Sequence, residues 1–477
     1  MVRQSSNLLQ ACKQLEVAQL SKAPPSTSLH SLQRSMAIAQ HHDAVTGTAK
    51  QHVTDDYVLR LDQGNRQCQT VISKSYAELL RLPEASGTTL PPQFFCPLLN
   101  MSQCHVTEDS ASFHVLLYNP LSFMVSHLVR FPVLGDAYSV VNGDGQPVPS
   151  QLVPIPESIL SLPGRKSKSL FELTFRAVDL PPIGMKSFYV QRANTGSVMS
   201  AYFSKVRYHS LPRSQDVRVG LDDKLLRFDG QTGLLTEMTS VGDRIDLQQN
   251  LLQYYSMAGD NTRPETRASG AYIFRPNGTA EPVGQLKRLV TVSGPLITEV
   301  HQQFANGASQ IWRLHHQESF IELDWMVGPI PVDDAVGKEV VTRFVTSQIR
   351  NGGIFFTDSN GREVLKRRLN YQPTYQVTVT EPVAGNYYPV NSFAYIEDGT
   401  AKRRFVVLND RAQGAASLND GMLEFMVGSL DFTDSCSIKA VLNDPFDSCL
   451  ARLVSGTQQW SNEISHFLST RNQNVFL

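Results

Sequence analysis

The sequence predicts an α+β multi-domain chain, an N-terminal helical bundle followed by antiparallel β-sandwich domains. Three observations carry that expectation. Apolar residues recur every three or four positions as far as about residue 80, they recur every second position from about residue 108, and no βαβ alternation follows the change. The length of 477 residues leaves room for about three domains at roughly 150 residues each. With 23 Phe, 15 Tyr, 26 Pro and 30 Gly against only 18% charged residues, the composition favours short strands and turns over a larger bundle.

The elements follow in order. Residues 1–88 form the helical bundle: Leu8, Leu9, Cys12 and Leu15 have helical spacing close to Met1, Pro24-Pro25-Ser26 interrupts, and Leu29, Leu32, Met36 and Ala39 define a helix within 28–40. A longer helix follows, with Val53, Tyr57, Leu61, Cys68, Ile72, Tyr76 and Leu79 or Leu80 on one face, ending near Pro83. Residues 89–107 are a linker in which the close pair Cys96 and Cys104, with Pro97 between them, suits a disulfide, so a disulfide-bearing linker is expected. Residues 108–205 form a smaller β-sandwich, in which the stretch 123–131 alternates and Phe171, Leu173, Phe175 and Ala177 alternate with Glu172, Thr174 and Arg176. Residues 206–427 form a larger sandwich. There Asp229-Gly230 with Thr232-Gly233 marks one turn, and Asn306-Gly307 predicts a tight two-residue hairpin, since such a turn needs φ > 0. Residues 320–327 are a further strand. After Met426-Val427 the strand pattern weakens into a divergent tail, 428–477, where Trp460, Ile464, Phe467 and Leu468 predict a short amphipathic helix.

Lys plus Arg (43) nearly balance Asp plus Glu (44), so the chain has no basic field for a polyanion, and nucleic acid is not an expected partner. No run of about 18 apolar residues occurs, so no membrane span is expected. Residues 1–7 lack the apolar run of a secretory signal, which points to the cytosol. Two glycosylation sequons, Asn100-Met101-Ser102 and Asn277-Gly278-Thr279, and the close pair Cys96 and Cys104 point to the secretory pathway. Six cysteines permit fifteen pairings, and buried thiols are the alternative to any of them.

The densest polar constellation is Gln40-His41-His42-Asp43-Ala44-Val45-Thr46-Gly47-Thr48. A neutral imidazole is a good zinc ligand, and an adjacent carboxylate can accept hydrogen bonds from a hydroxylated substrate. Against that reading, a His pair at a helix end is ordinarily a solvated feature. Residues two apart on a helix also point away from each other, so His41 and Asp43 are not expected to chelate one ion. His315-His316, beside a predicted turn, is expected to face solvent.

His41-His42-Asp43-Ala44-Val45-Thr46-Gly47-Thr48 with Lys50-Gln51-His52-Val53 closely resembles the signature of glycoside hydrolase family 38, in particular its lysosomal branch. Further segments agree in order. They include Ser269-Gly270-Ala271-Tyr272-Ile273-Phe274-Arg275-Pro276-Asn277, Val327-Gly328-Pro329-Ile330-Pro331-Val332, Thr357-Asp358-Ser359-Asn360-Gly361-Arg362-Glu363, Glu381-Pro382-Val383-Ala384-Gly385-Asn386-Tyr387-Tyr388-Pro389-Val390-Asn391 and Asp410-Arg411. The resemblance runs from about residue 8 to about residue 427.

It implies a zinc-dependent retaining α-mannosidase that trims mannose from N-glycan oligosaccharides, with an α/β catalytic domain ahead of the bundle and sandwiches. By the same resemblance His42 is a zinc ligand, Asp43 holds hydroxyls of the terminal mannose, and Tyr272 and Arg411 reach the sugar from the sandwich domains. Cys12 with Cys68, and Cys96 with Cys104, are implied disulfide partners. A retaining mechanism requires two carboxyl groups about 5 Å apart. The resemblance places both of them, with the other zinc ligands, ahead of Met1, so this chain is expected to hold Zn2+ by one ligand and to be inactive alone. A non-catalytic carbohydrate-binding or assembly segment that complements an N-terminal α-mannosidase chain is the alternative. With the family pattern ending near 427, the larger sandwich is expected to be incomplete, with unpaired strand edges.

Overall fold

The computed structural model describes residues 1–19, 29–79, 93–193, 201–240, 242–270, 272–328, 330, 334, 336–399, 403–430 and 448–455, the last eight and 428–430 as backbone. The chain divides into two compact units. One comprises Met1–Ile155 and Arg165–Ala201, the other Pro156–Gly164 and the described residues from Tyr202 to Ser455.

The first unit opens with helices α1 (Val2–Gln19), α2 (Leu29–Ile38) and α3 (Gln51–Leu79). Leu8, Cys12 and Leu15 of α1, Leu32 and Met36 of α2, and Leu61, Cys68, Ile72 and Tyr76 of α3 share one core. Helices α2 and α3 approach closely because position 64 is glycine, where a Cβ would lie 2.8 Å from the Leu32 Cα. A Cys12–Cys68 disulfide ties α1 to α3. The apolar face of α3 is shorter than its spacing predicts: Val53 and Tyr57 are only half-buried and Leu79 is exposed, because the shared core begins at Leu61.

The bundle packs on a β-sandwich of the same unit. Tyr118 joins the helical core and its hydroxyl donates to Gln14 Oε1 at 3.0 Å. One sheet runs Ser112–Asn119, Gly184–Arg192, Tyr138–Asn142, and the other contains Val125–Val133, Phe171–Leu180 and Ser150–Pro154, all antiparallel. Val115, Leu117, Phe131, Leu173, Phe175 and Phe188 fill the space between them. The expected alternation of 171–177 holds for one face only. Glu172 and Thr174 are buried as well, because the linker covers that face. The linker carries a 3-10 turn (Leu99–Met101), a short helix α4 (His105–Asp109) and the Cys96–Cys104 disulfide. Ser102 and Arg130 both donate to the Glu172 carboxylate, and Arg165 donates to the carbonyls of Met101 (2.9 Å), Ser102 (3.1 Å) and Ser169 (2.8 Å). Every buried carboxylate oxygen there has a donor, which is the condition for burying it.

The second unit holds antiparallel sheets around one core that includes Phe228, Trp312, Trp325, Phe344, Phe405 and Phe425. In one sheet Gln248–Tyr255, Lys338–Val345, Met422–Leu430 and Gln413–Ala416 are successive neighbours. In a longer sheet Arg404–Asn409, Ser448–Ser455, Ile321–Met326, Ser309–His315 and Ile297–Phe304 are neighbours.

Three sequence expectations are corrected in this unit. The β pattern does not stop at 427: Met422–Leu430 runs on, and Ser448–Ser455 from the tail lies between Ile321–Met326 and Arg404–Asn409, giving both strands a second partner where open edges were expected. The helix expected around Trp460–Leu468 lies outside the described residues. The Asn306-Gly307 hairpin is a four-residue loop closed by the Phe304 N–H on the Ala308 carbonyl at 2.8 Å. Only Gly307 has positive φ (76°), and the Asn306 side chain donates to the Val283 carbonyl. His315 is buried instead of solvated: it ends strand Ser309–His315 against the Phe320 ring, with Nε2 3.3 Å from Glu322 Oε2 in a contact off the hydrogen-bonding direction. His316 does reach the surface, where it meets Asp222 at 2.8 Å.

Candidate functional site

Helix α2 ends at Ile38, and residues 39–50 return the chain to α3 through consecutive turns, with Gly47 at φ 75°. The His41 N–H donates to the Ile38 carbonyl at 3.0 Å, and the Val45 N–H donates to the His41 carbonyl at 3.1 Å. This tight path changes which side chains meet. His41 Nε2 lies 3.2 Å from Asp43 Oδ2, and His42 Nε2 lies 3.8 Å from the same oxygen. The expectation that His41 and Asp43 point apart is thereby corrected, since it assumed a helix where the backbone is a turn.

Donor atoms of His41, His42 and Asp43 all lie within 4.8 Å of one another. Imidazole nitrogens and a carboxylate oxygen are the donor types zinc takes, so the residues fit such an ion. His42 is the outermost, its side chain 85% exposed, and Asp43 is held deeper at 29%. The Thr48 hydroxyl donates to Asp43 Oδ1 at 2.8 Å, Thr46 and Thr48 hydroxyls lie 2.9 Å apart, and Thr46 donates to the His42 carbonyl. Asp43 therefore has one oxygen fixed by a hydroxyl and the other turned to the imidazoles. Thr46 and Thr48 carry roles that residue type alone does not reveal; their hydroxyls, three and five positions after the carboxylate, are the signal the sequence offers.

Tyr272 and Arg411 belong to the second unit. Gly270 and Ile273 exchange both backbone hydrogen bonds, at 2.9 and 3.1 Å, so Tyr272 rides on the tip of a closed turn with 72% of its surface exposed. Arg411 Nε and Nη2 lie 3.1 and 3.0 Å from the two oxygens of Asp410, and its carbonyl accepts from the fully buried Asn409, which fixes the backbone at the head of the side chain. A phenol with a stacking face and a guanidinium with several donors are both suited to a hydroxyl-covered ring. The sequons differ in setting. Asn277, Gly278 and Thr279 are all exposed, whereas Asn100 is exposed and its Ser102 is buried on Glu172.

Residues 1–79 match the family described as the α-mannosidase middle domain, and residues 224–430 match the glycosyl hydrolases family 38 C-terminal domain. The lysosomal α-mannosidase of Bos taurus is 40% identical over 430 residues, covering 89% of this chain and 40% of that protein. That of Homo sapiens is 39% identical over 434 residues, covering 89% of this chain and 41% of that protein. The chain thus spans about two fifths of the length of these relatives. A solved α-mannosidase from Enterococcus faecalis V583 superposes with a TM-score of 0.58 at 11% identity, over 98% of this chain and 55% of that one, a likeness of fold alone.

Proposed function

The chain belongs to glycosyl hydrolase family 38, and from that membership we propose that it serves the hydrolysis of terminal α-mannose from N-glycan oligosaccharides by supplying part of the sugar and metal site. The observation that carries the reading is the turn at 40–48, where two imidazoles and one anchored carboxylate converge within 4.8 Å. His42 would hold zinc, with His41 beside it. When bound, the ion supplies positive charge that grips adjacent sugar hydroxyls. Asp43 accepts a sugar hydroxyl, its orientation set by Thr48. Tyr272 presents a hydroxyl and an apolar face to the pyranose, and Arg411 presents hydrogen-bond donors.

A retaining mechanism needs a nucleophile and a general acid about 5 Å apart. Family resemblance assigns neither role to a residue of this sequence, so the proposal includes no turnover by the 477-residue chain alone. The purified chain with an aryl α-mannoside and zinc is expected to give none, while zinc titration is expected to show weak binding that His42→Ala removes. Turnover comparable to a full-length family 38 enzyme, abolished by His42→Ala, overturns the reading. A lysosomal location is part of the same proposal, supported by the relatives' compartment and by two disulfides, which suit an oxidising route.

A second reading, favoured by one observation, makes the chain an assembly segment for an N-terminal α-mannosidase chain. Ile38 and Val45, which flank the His41–Asp43 turn, expose large apolar side chains, as do Val58 and Leu59 on α3. Mixing the two chains is expected to yield a complex with zinc-dependent activity; failure to form any complex removes this reading.

A further inference from the structure

The turn that carries Tyr272 stands beside a buried polar node centred on Glu424. Glu424, on strand Met422–Leu430, is fully buried. Its Oε1 accepts from the hydroxyls of Tyr254 (3.0 Å) and Tyr387, and its Oε2 accepts from Arg343, which also donates to the Tyr254 hydroxyl at 3.2 Å. Three strands and the 384–390 segment thus converge on one carboxylate. Burial, reinforced by that carboxylate, pushes both phenols well above the usual tyrosine range, so each remains a donor.

The two phenol rings also hold a third. Phe274 packs edge-on against Tyr254 at 5.6 Å and against Tyr387 at 5.5 Å, two residues after Tyr272. The chain on either side is pinned. Ser269 Oγ donates to the Arg275 carbonyl (2.7 Å) and accepts from the Arg275 N–H (2.8 Å), and the Met257 N–H donates to the same carbonyl at 2.8 Å. Arg275 Nε lies 2.8 Å from Glu381 Oε1, an ion pair aimed off the hydrogen-bonding direction. With the backbone after it pinned in this way, presenting Tyr272 requires less main-chain ordering on binding, the cost that remains being that of its own side chain.

We propose that Phe274, clamped between Tyr254 and Tyr387 on the Glu424 carboxylate, is a positioning residue that fixes the direction in which Tyr272 is presented to the sugar. The inference rests on the reading of Tyr272 as a sugar contact, and its test separates the two. The full chain is labelled with 3-fluorotyrosine at position 272 and observed by fluorine NMR, first alone and then with methyl α-mannoside. Wild type and Phe274→Tyr, which keeps the ring, are expected to give one narrow resonance displaced from that of the unfolded chain. Phe274→Leu and Phe274→Ala are expected to bring that resonance to the unfolded position while circular dichroism and melting of the larger unit persist. They are also expected to weaken methyl α-mannoside binding by about tenfold. If Phe274→Ala does not fold, Phe274→Leu and Tyr387→Phe decide the question. An unchanged resonance in the ring-deleted variants overturns the positioning role. A displaced wild-type resonance that ignores the mannoside instead overturns the sugar contact and leaves the clamp standing.

Discussion

Asp43 shows how much of a residue's chemistry is decided by its local backbone. Two histidines and one threonine within five positions engage its two oxygens, and this follows from the turn after Ile38, not from residue type. Asp260 gives a measurable counterpart. The Thr266 hydroxyl donates to its Oδ1 at 2.6 Å, and the N–H and hydroxyl of Thr262 donate at 3.0 and 2.8 Å. With the Thr266 hydroxyl as the largest cause, these donors hold the Asp260 carboxyl down at about 2, against an ordinary 3.8. A depressed folded-state value means that the loop gains stability from Asp260 above pH 3.8 and loses it as the pH falls toward 2. Carbon NMR titration is expected to find that low midpoint, and Thr266→Val is expected to move it upward, since the charged form loses its main donor. No movement would show that the Thr266 hydroxyl is not the cause.

At the scale of elements, the bundle depends on one close approach and one covalent tie. Gly64→Ala forces a Cβ against the Leu32 backbone, where nothing flexible can give way, and is expected to cost about 1–3 kcal/mol in urea unfolding. Replacing Cys12 and Cys68 together by serine reopens a loop with a sequence separation of 56 and is expected to cost about 4 kcal/mol. The helices were legible because Leu29, Leu32 and Met36, or Leu61, Cys68 and Ile72, repeat at helical spacing. The linker was not. Nothing in the local pattern at 99–109 says that it will cover Glu172 from seventy positions away.

The molecule as a whole is two units, and its stability should divide accordingly. In the larger unit Arg313 is buried among Glu299, Glu322 and Asp324. Burial alone would lower its pKa, but the field of the three carboxylates overrides that and raises it well above the ordinary value. Arg313→Met leaves Glu299 and Glu322 without their shared cation and is expected to cost about 3–5 kcal/mol. Calorimetry is expected to show two transitions, with Arg313→Met lowering only that of the larger unit and the cysteine pair replacement only that of the smaller. A single transition moved by both variants would show that the units unfold together.

Sequence by itself determined the α+β class and the position where helical spacing gives way to alternation, because periodicity is a local property; His42, Asp43, Tyr272 and Arg411 entered as site residues only through the family resemblance and stand as a proposal. Tertiary structure alone decided that His41 turns toward Asp43, that 448–455 enters the larger sheet between two strands distant in the sequence, and that Phe274 sits between Tyr254 and Tyr387. Each of these depends on where distant backbone passes. A buried carboxylate such as Glu424 is tolerated only once Tyr254, Arg343 and Tyr387 have been brought to it from three separate stretches of chain.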